Sequence, residues 1–355
     1  MTAKLIERFA SWETFLAAMS LGLLAYAVLA VPNFTSTFNL SQAAAGVSEK
    51  ALLALPLVLL IIAREIDLSI ASILALTSVV LGVLVQAGIP LVLAVPVVLL
   101  TGAAAGAFNG ILVTRLDLPS LVVTLGTLAM FRGVGYIILG SGSVNQFPDA
   151  LTDLGIENVA GTAVPWTLVP FLVLAPIFAV VLQLTPTGRR IYAIGGNPDA
   201  ALYAGVRSRR LRFMLFVVSG LVCAVAGIVF TARLANARAN NALGFELDVI
   251  TIALLGGISV FGGRGKLTGV LWALILVATL RNVLGLLQVG GDAQGIAIGL
   301  LLIGSLLLSN TVEHLLDRVR TRRLLGVTLS PSLEGVATSP GSSLDPKSIS
   351  GSMKP

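Results

Sequence analysis

Between positions 12 and 308 the chain returns about ten times to an apolar run of roughly the length that crosses a bilayer. Few folds accept that pattern. In lipid every backbone N–H and C=O must bond within the protein, and a bundle of helices satisfies them segment by segment. Composition agrees: hydrophobic residues make up 56% and charged residues 11%, against about 25% charged in a soluble domain. The expectation is an all-α integral membrane protein, a polytopic bundle of about ten transmembrane helices. The runs fall at residues 12–31, 42–63, 68–86, 91–113, 118–139, 164–184, 211–232, 247–261, 268–287 and 293–308. The first is longer than the apolar core of about 7–15 residues in a cleavable signal. It reads as a span that inserts itself, while A-Y-A at Ala25–Ala27 is the one feature favouring cleavage.

Lysine and arginine orient the bundle. With the N-terminus inside, Lys4, Arg8, Arg64, Arg115, Arg264, Lys266, the arginines at 318–323 and the six within 185–212 share one side. Lys50, Arg233 and Arg238 fall on the other, and Arg132 and Arg281 lie within predicted spans. Both termini are therefore expected in the cytoplasm, and the loop 141–165, with Asp149, Asp153 and Glu157, is expected to face out as a solvated segment. The positive charge sits in short loops between spans, so a nucleic-acid partner is not expected. Residues 1–324 read as a transmembrane domain, and 325–355, rich in Ser, Pro and Gly, as a disordered cytoplasmic tail.

Residue supply limits the chemistry. Cys223 is the only cysteine and His314 the only histidine, so no disulfide framework, metal cluster or nucleophile–base pair is expected, and the chain is not read as an enzyme. The nearest approach to a phosphate loop, residues 262–267, has Val260 where a Walker A loop needs glycine and Leu267 where it needs Ser or Thr. No ATP or other cofactor is expected on this chain. Gly102, Gly106 and Gly110 form G-x-x-x-G-x-x-x-G, and Gly295 with Gly299 repeats the spacing, which lets helices approach closely in a membrane. Residues 66–76 loosely echo 247–255, a hint of repeated halves.

Several polar residues interrupt the spans. Arg64, Glu65, Asp67 and Ser69 occupy a turn between two of them. They read either as transport machinery or as a polar turn, with Asp67 and Ser69 capping the next helix and Arg64 anchored at the headgroups. Asn109, Thr124 and Thr127 stand in apolar helices, where they could meet a polar solute or bond across helices. Arg132 and Arg281 are costlier to place in lipid. Asn109, Thr124, Thr127, Arg132 and Asn282 are the translocation-pathway candidates.

Residues 185–212 are the most informative polar stretch. Asn197, Pro198 and Asp199 spell a helix start: an N-cap side chain, proline at the first helical position and an acid in the first turn. Gly205 supplies a left-handed stop. A rigid capped helix of about two turns, flanked by arginines outside the membrane, has use only if something grips it.

These segments carry a family resemblance. Arg64 to Ser72 resembles G-G-I-D-L-S-V-G-S. Asn109-Gly110 with Pro119 to Gly133 resembles N-G…P-x-x-V-T-L-G-T-x-x-x-x-R-G. Gly188 to Val206 resembles G-R-x-I-Y-A-I-G-G-N-x-x-A-A-x-x-x-G-I nearly residue for residue, and Leu255 to Gly265 resembles L-G-G-x-S-x-x-G-G-x-G. The motifs are those of permease subunits of bacterial ABC importers for monosaccharides, the ribose-permease type, over about residues 12–313. The resemblance implies the ABC importer permease fold in the bacterial inner membrane, pairing with a second permease, identical or different. It implies an ATPase subunit beneath that holds ATP and magnesium, and a periplasmic sugar-binding protein above. By the same resemblance residues 185–212 form a coupling loop seated on the ATPase, with Gly188, Arg189, Tyr192, Gly195, Gly196, Asn197, Pro198, Asp199, Ala200, Ala201 and Gly205 as its motif. Arg64-Glu65 in place of G-G, and Ala71 in place of the later glycine, resemble the rhamnose-type branch. The alternative is a stand-alone ion-coupled carrier, which would place acids within the bundle; here the obvious ones, Glu65 and Asp67, fall at a turn.

Overall fold

The computed structural model describes residues 12–301, 303 and 304. They lie in one compact unit that runs to Leu306; the tail after Leu325 and His314 are outside the described residues. The described fold is helical, with α1 (Trp12–Ala30), α2 (Thr37–Ile62), α3 (Ile70–Gln86), α4 (Leu91–Arg115), α5 (Ser120–Leu139), α6 (Asp149–Ile156), α7 (Val169–Leu184), α8 (Pro186–Gly196), α9 (Pro198–Tyr203), α10 (Ser208–Leu234), α11 (Phe245–Leu255) and α12 (Leu267–Leu286). A further helix starts at residue 291 and continues to the end of the described residues. Among the described residues seven apolar segments have the length to cross a membrane, and α3, at 17 residues, is a shorter apolar helix.

The bundle is built around α2 and α10. From Ala51 to Ile62 every residue of α2 is buried, because α7, α10, α11 and α12 surround it. A helix hydrophobic on all sides has no alternative but the interior. α10 packs along α4 through the glycines that the sequence spacing singled out. A Cβ added at Gly102 or Gly106 would strike the carbonyl oxygens of Gly220 or Phe216, and one added at Gly220 would strike that of Gly102. Close backbone approach is the only way to gain dispersion energy where lipid and leucine are equally apolar. At the second pair, Gly295 and Gly299, an added Cβ meets nothing within 4 Å among the described residues. Peripheral α1, α4, α5 and α7 keep apolar side chains such as Leu29, Val92, Ile137 and Val173 exposed, as lipid-facing helices do.

Two expectations need correction. The run 247–261 is not a continuous span. α11 stops after 11 residues, about 16 Å, because Gly257 turns left-handed at φ +84° and its N–H bonds to the Leu254 carbonyl. The chain then continues as a glycine-rich loop. The loop 141–165 is not simply solvated. It contains α6, whose Leu151 is buried and whose Gly155 is pressed onto the Ala232 carbonyl of α10. Val144 and Ala237 also exchange backbone bonds of 3.1 and 2.9 Å.

The α4–α10 contact yields a test. Gly106→Val should cost about 1–3 kcal/mol or more through overpacking, lowering the melting temperature of the detergent-solubilised chain. Gly126→Val, where an added Cβ meets nothing within 4 Å, should leave it within error.

Candidate functional site

At one end of the bundle, four motif segments that are distant in sequence meet. The turn between α2 and α3 is the centre. Asp67 is fully buried; its Oδ1 accepts the Ser69 N–H at 3.0 Å and the Ser69 hydroxyl at 2.6 Å, and its Oδ2 accepts the Ser219 hydroxyl of α10 at 3.1 Å. Asn109 of α4 donates to Ser69 Oγ at 2.8 Å. The Ile66 N–H donates to Ser120 Oγ at 3.1 Å, and its carbonyl accepts the Thr124 hydroxyl at 3.0 Å. Glu65, buried, pairs with Arg212 at 2.9 Å. Asp67 thus closes the turn through the Ser69 N–H and hydroxyl, while Ser69, the N-cap of α3, makes no side-chain cap. Arg64 reaches backbone of two other segments. It adopts φ +65° and donates from Nε to the Phe261 carbonyl at 2.7 Å and from Nη2 to the Gly196 carbonyl at 3.4 Å. The left-handed geometry is the physical reason a glycine suits this position.

The basic stretch docks onto this turn. It contains two helices, not one. Thr185 caps α8 by accepting the Gly188 N–H, with Pro186 at the first position. Asn197 caps α9 by accepting the Ala200 N–H at 3.0 Å, with Pro198 and Asp199 following. Gly205, at φ +77°, ends α9, its N–H and that of Val206 bonding to the Leu202 and Ala201 carbonyls at 2.9 and 3.0 Å. Gly188 lets α8 fold back against the Leu182 carbonyl of α7, and Gly195 sits directly on the Ile62 carbonyl, where no Cβ fits. Gly263 N–H donates to that same Ile62 oxygen at 2.8 Å. Tyr192 donates its hydroxyl to the Gly265 carbonyl at 2.6 Å. Burial, and secondarily the Glu13 carboxylate, hold its phenol above the ordinary pKa. Arg189, Pro198, Asp199, Ala200 and Gly196 face outward, and Ala201 is buried beneath them.

Two neighbours of these residues were not anticipated from sequence. Leu202 and Tyr203 are 64% and 91% exposed at the tip of α9. Bulky apolar side chains in a helix otherwise made of small residues, outside any span, were the available signal.

Most polar atoms of the translocation candidates meet partners within the chain, but Asn109 Oδ1 and Arg132 Nε and Nη2 are buried without one. Thr124 and Thr127 bond to carbonyls of their own helix, and Asn109 joins the Asp67 turn, its Oδ1 left without a partner. Arg132 donates Nη1 to the Ala239 and Asn241 carbonyls at 2.9 and 3.1 Å. It thereby satisfies the non-helical backbone that precedes α11. Asn282 exchanges two amide bonds with Asn39, at 2.9 and 2.8 Å.

Further along the bundle from that turn lies an ion network that sequence reasoning missed. Glu49, fully buried in α2, accepts from Arg233 at 2.6 Å; Lys50 pairs with Asp248 at 2.6 Å, and Arg281 reaches the same carboxylate at 2.9 and 2.8 Å. Lys50 is thus buried within α2, not placed beyond it, and the spans are not free of acids. The signal was Glu49-Lys50 inside the predicted span 42–63. The network ties α2, α10, α11 and α12 together. Among the described residues no cluster suits a metal ion.

The fold is that of a multi-pass membrane protein with a capped helix pair docked on one end. Residues 39–306 match the family described as branched-chain amino acid transport system / permease component. The ribose import permease protein of Haemophilus influenzae is 32% identical over 287 residues, 79% of this chain and 87% of that protein. The L-arabinose transport system permease protein of Escherichia coli is 32% identical over 278 residues, 78% and 84% of the two chains. The autoinducer 2 import system permease protein of Salmonella typhi is 33% identical over 312 residues, 88% and 87%. No solved structure matches. The chain belongs to this family of permease components, and the relatives are of the ribose-permease type that its motifs resemble.

Two outcomes follow from the geometry. Gly195→Ala should lift α8 from Ile62 and raise the rate of tryptic cleavage at residues 207–212, while Gly196→Ala, facing open space, should not. Asp248→Asn should strand Lys50 and Arg281 and destabilise the chain by about 3–5 kcal/mol, read as a loss of monodisperse protein after detergent extraction.

Proposed function

We propose that this chain is the membrane permease of an ATP-driven importer for a monosaccharide or a related small polyol, and that α8–α9 is the element its ATPase grips. The observation that carries the reading is the seating of α8 by Gly195 on the backbone of the α2–α3 turn, with Leu202 and Tyr203 left projecting at the far side of α9. Apolar side chains of that size, outside a span, fit a cleft in a partner protein. A push on α9 would reach the turn, and from it α3, α4, α5 and α10, through the bonds around Asp67 and Ile66. On this reading the α8–α9 end is cytoplasmic, the α6 segment faces the periplasm and a binding protein delivers the sugar there. ATP and magnesium belong to the partner subunit, and a second permease completes the pathway. The names of the relatives support a sugar; the R-E-I-D-L-S form of the turn favours the rhamnose-type branch within that class.

The test is affinity purification of the full-length chain from its native membrane, with uptake measured in parallel. A two-lobed ATPase should co-purify, and Leu202→Ala with Tyr203→Ala should abolish uptake by releasing the ATPase while the permease remains in the membrane. Uptake of sugar by the chain alone in ATP-free vesicles would overturn the reading.

A further inference from the structure

Of the six arginines around α8 and the start of α10, Arg189 faces outward and the other five fall into two groups. Arg209 pairs with Asp117 at 2.5 Å and Arg212 with Glu65 at 2.9 Å. Arg190, Arg207 and Arg210 instead line one cleft of about 530 Å³ between α8, the turn at Gly205 and the root of α10. No acidic residue lines that cleft, and none of the three guanidiniums has an ion-pair or hydrogen-bond partner among the described residues. Three uncompensated guanidiniums around one cavity repel one another unless an anion joins them, and their planar forks match phosphate oxygens.

The wall opposite the charges is apolar. Leu211 and Met214 line the cleft, and Met214, Val218 and Leu221 are exposed at 45%, 36% and 36%. Their spacing of four and three residues keeps them on one face of α10. That face runs from the arginines along the lipid-crossing helix, so the site has the two halves of a phospholipid: a phosphate pocket and an acyl track. A protein acid would satisfy the arginines without explaining the stripe, and free phosphate would leave the stripe unused. We propose that the cleft binds the phosphate headgroup of an anionic phospholipid, whose chain lies along Met214, Val218 and Leu221. The lipid would brace the C-terminal end of α9, since Ala204, Gly205 and Val206 form the third wall. Placing this cleft in the inner leaflet rests on the permease reading above.

The experiment is native mass spectrometry of the full-length chain, purified with whatever subunits accompany it and titrated with cardiolipin, phosphatidylglycerol, phosphatidylethanolamine or inorganic phosphate. The expected result is retention of the two anionic lipids over phosphatidylethanolamine. It should weaken roughly 100-fold in Arg190→Gln/Arg207→Gln/Arg210→Gln but not in the charge-matched Arg115→Gln/Arg238→Gln/Arg264→Gln. Val218→Gln should weaken lipid retention without affecting phosphate. Equal loss in both triple variants would show diffuse charge attraction and overturn the site. So would displacement of lipid by millimolar phosphate, or lipid binding that disappears whenever an ATPase subunit is present. Lipid retained by a chain that carries no ATPase would leave this site standing and count against the importer reading.

Discussion

A single buried carboxylate organises the functional end of this protein. Asp67 has no cation against it; three donors from Ser69 and Ser219 satisfy its oxygens. A buried anion left short of donors would cost several kcal/mol, so the turn has little freedom to choose another shape. That shape fixes Ser69 for Asn109, Ile66 for α5, and Ile62 for Gly195 and Gly263. The helices α3, α4, α5, α8 and α10 all take their positions at this end from one turn of seven residues between α2 and α3.

The other charged cluster works differently. Glu49, Lys50, Arg233, Asp248 and Arg281 form ion pairs that join the short α11 to α2, α10 and α12, three helices of membrane length. Pairing and charge-assisted hydrogen bonds make such groups tolerable in a low dielectric. The interrupted path through residues 235–244 and α11 needs that support. Its exposed carbonyls are taken up by Arg132, and its helix is fastened through Asp248 to α2 and α12. The interrupted segment therefore stands beside a concentration of arginine.

Local features were legible in the sequence, long-range ones were not. The cap of α9 could be read to the atom, because Asn197, Pro198 and Gly205 encode it within nine residues. α8 carried the same kind of signature in Thr185-Pro186 and was overlooked beside the stronger one. The close packing of Gly102 and Gly106 was readable as spacing, but the same spacing at Gly295 and Gly299 faces open space among the described residues, since spacing cannot say whether a partner is present. The convergence of the motifs was beyond reach. Arg64 and Phe261 lie 197 positions apart, and no periodicity announces that they bond.

Gly195 and Ile62 meet backbone to backbone, with no side chain between them. Side chains absorb small displacements by changing rotamer, but peptide planes in tight contact do not. In the language of machines the joint has no backlash. A small displacement of α8 would pass to the end of α2 with little taken up at the contact itself. On the proposed reading, any compliance between this chain and a partner would fall to the exposed tip of α9.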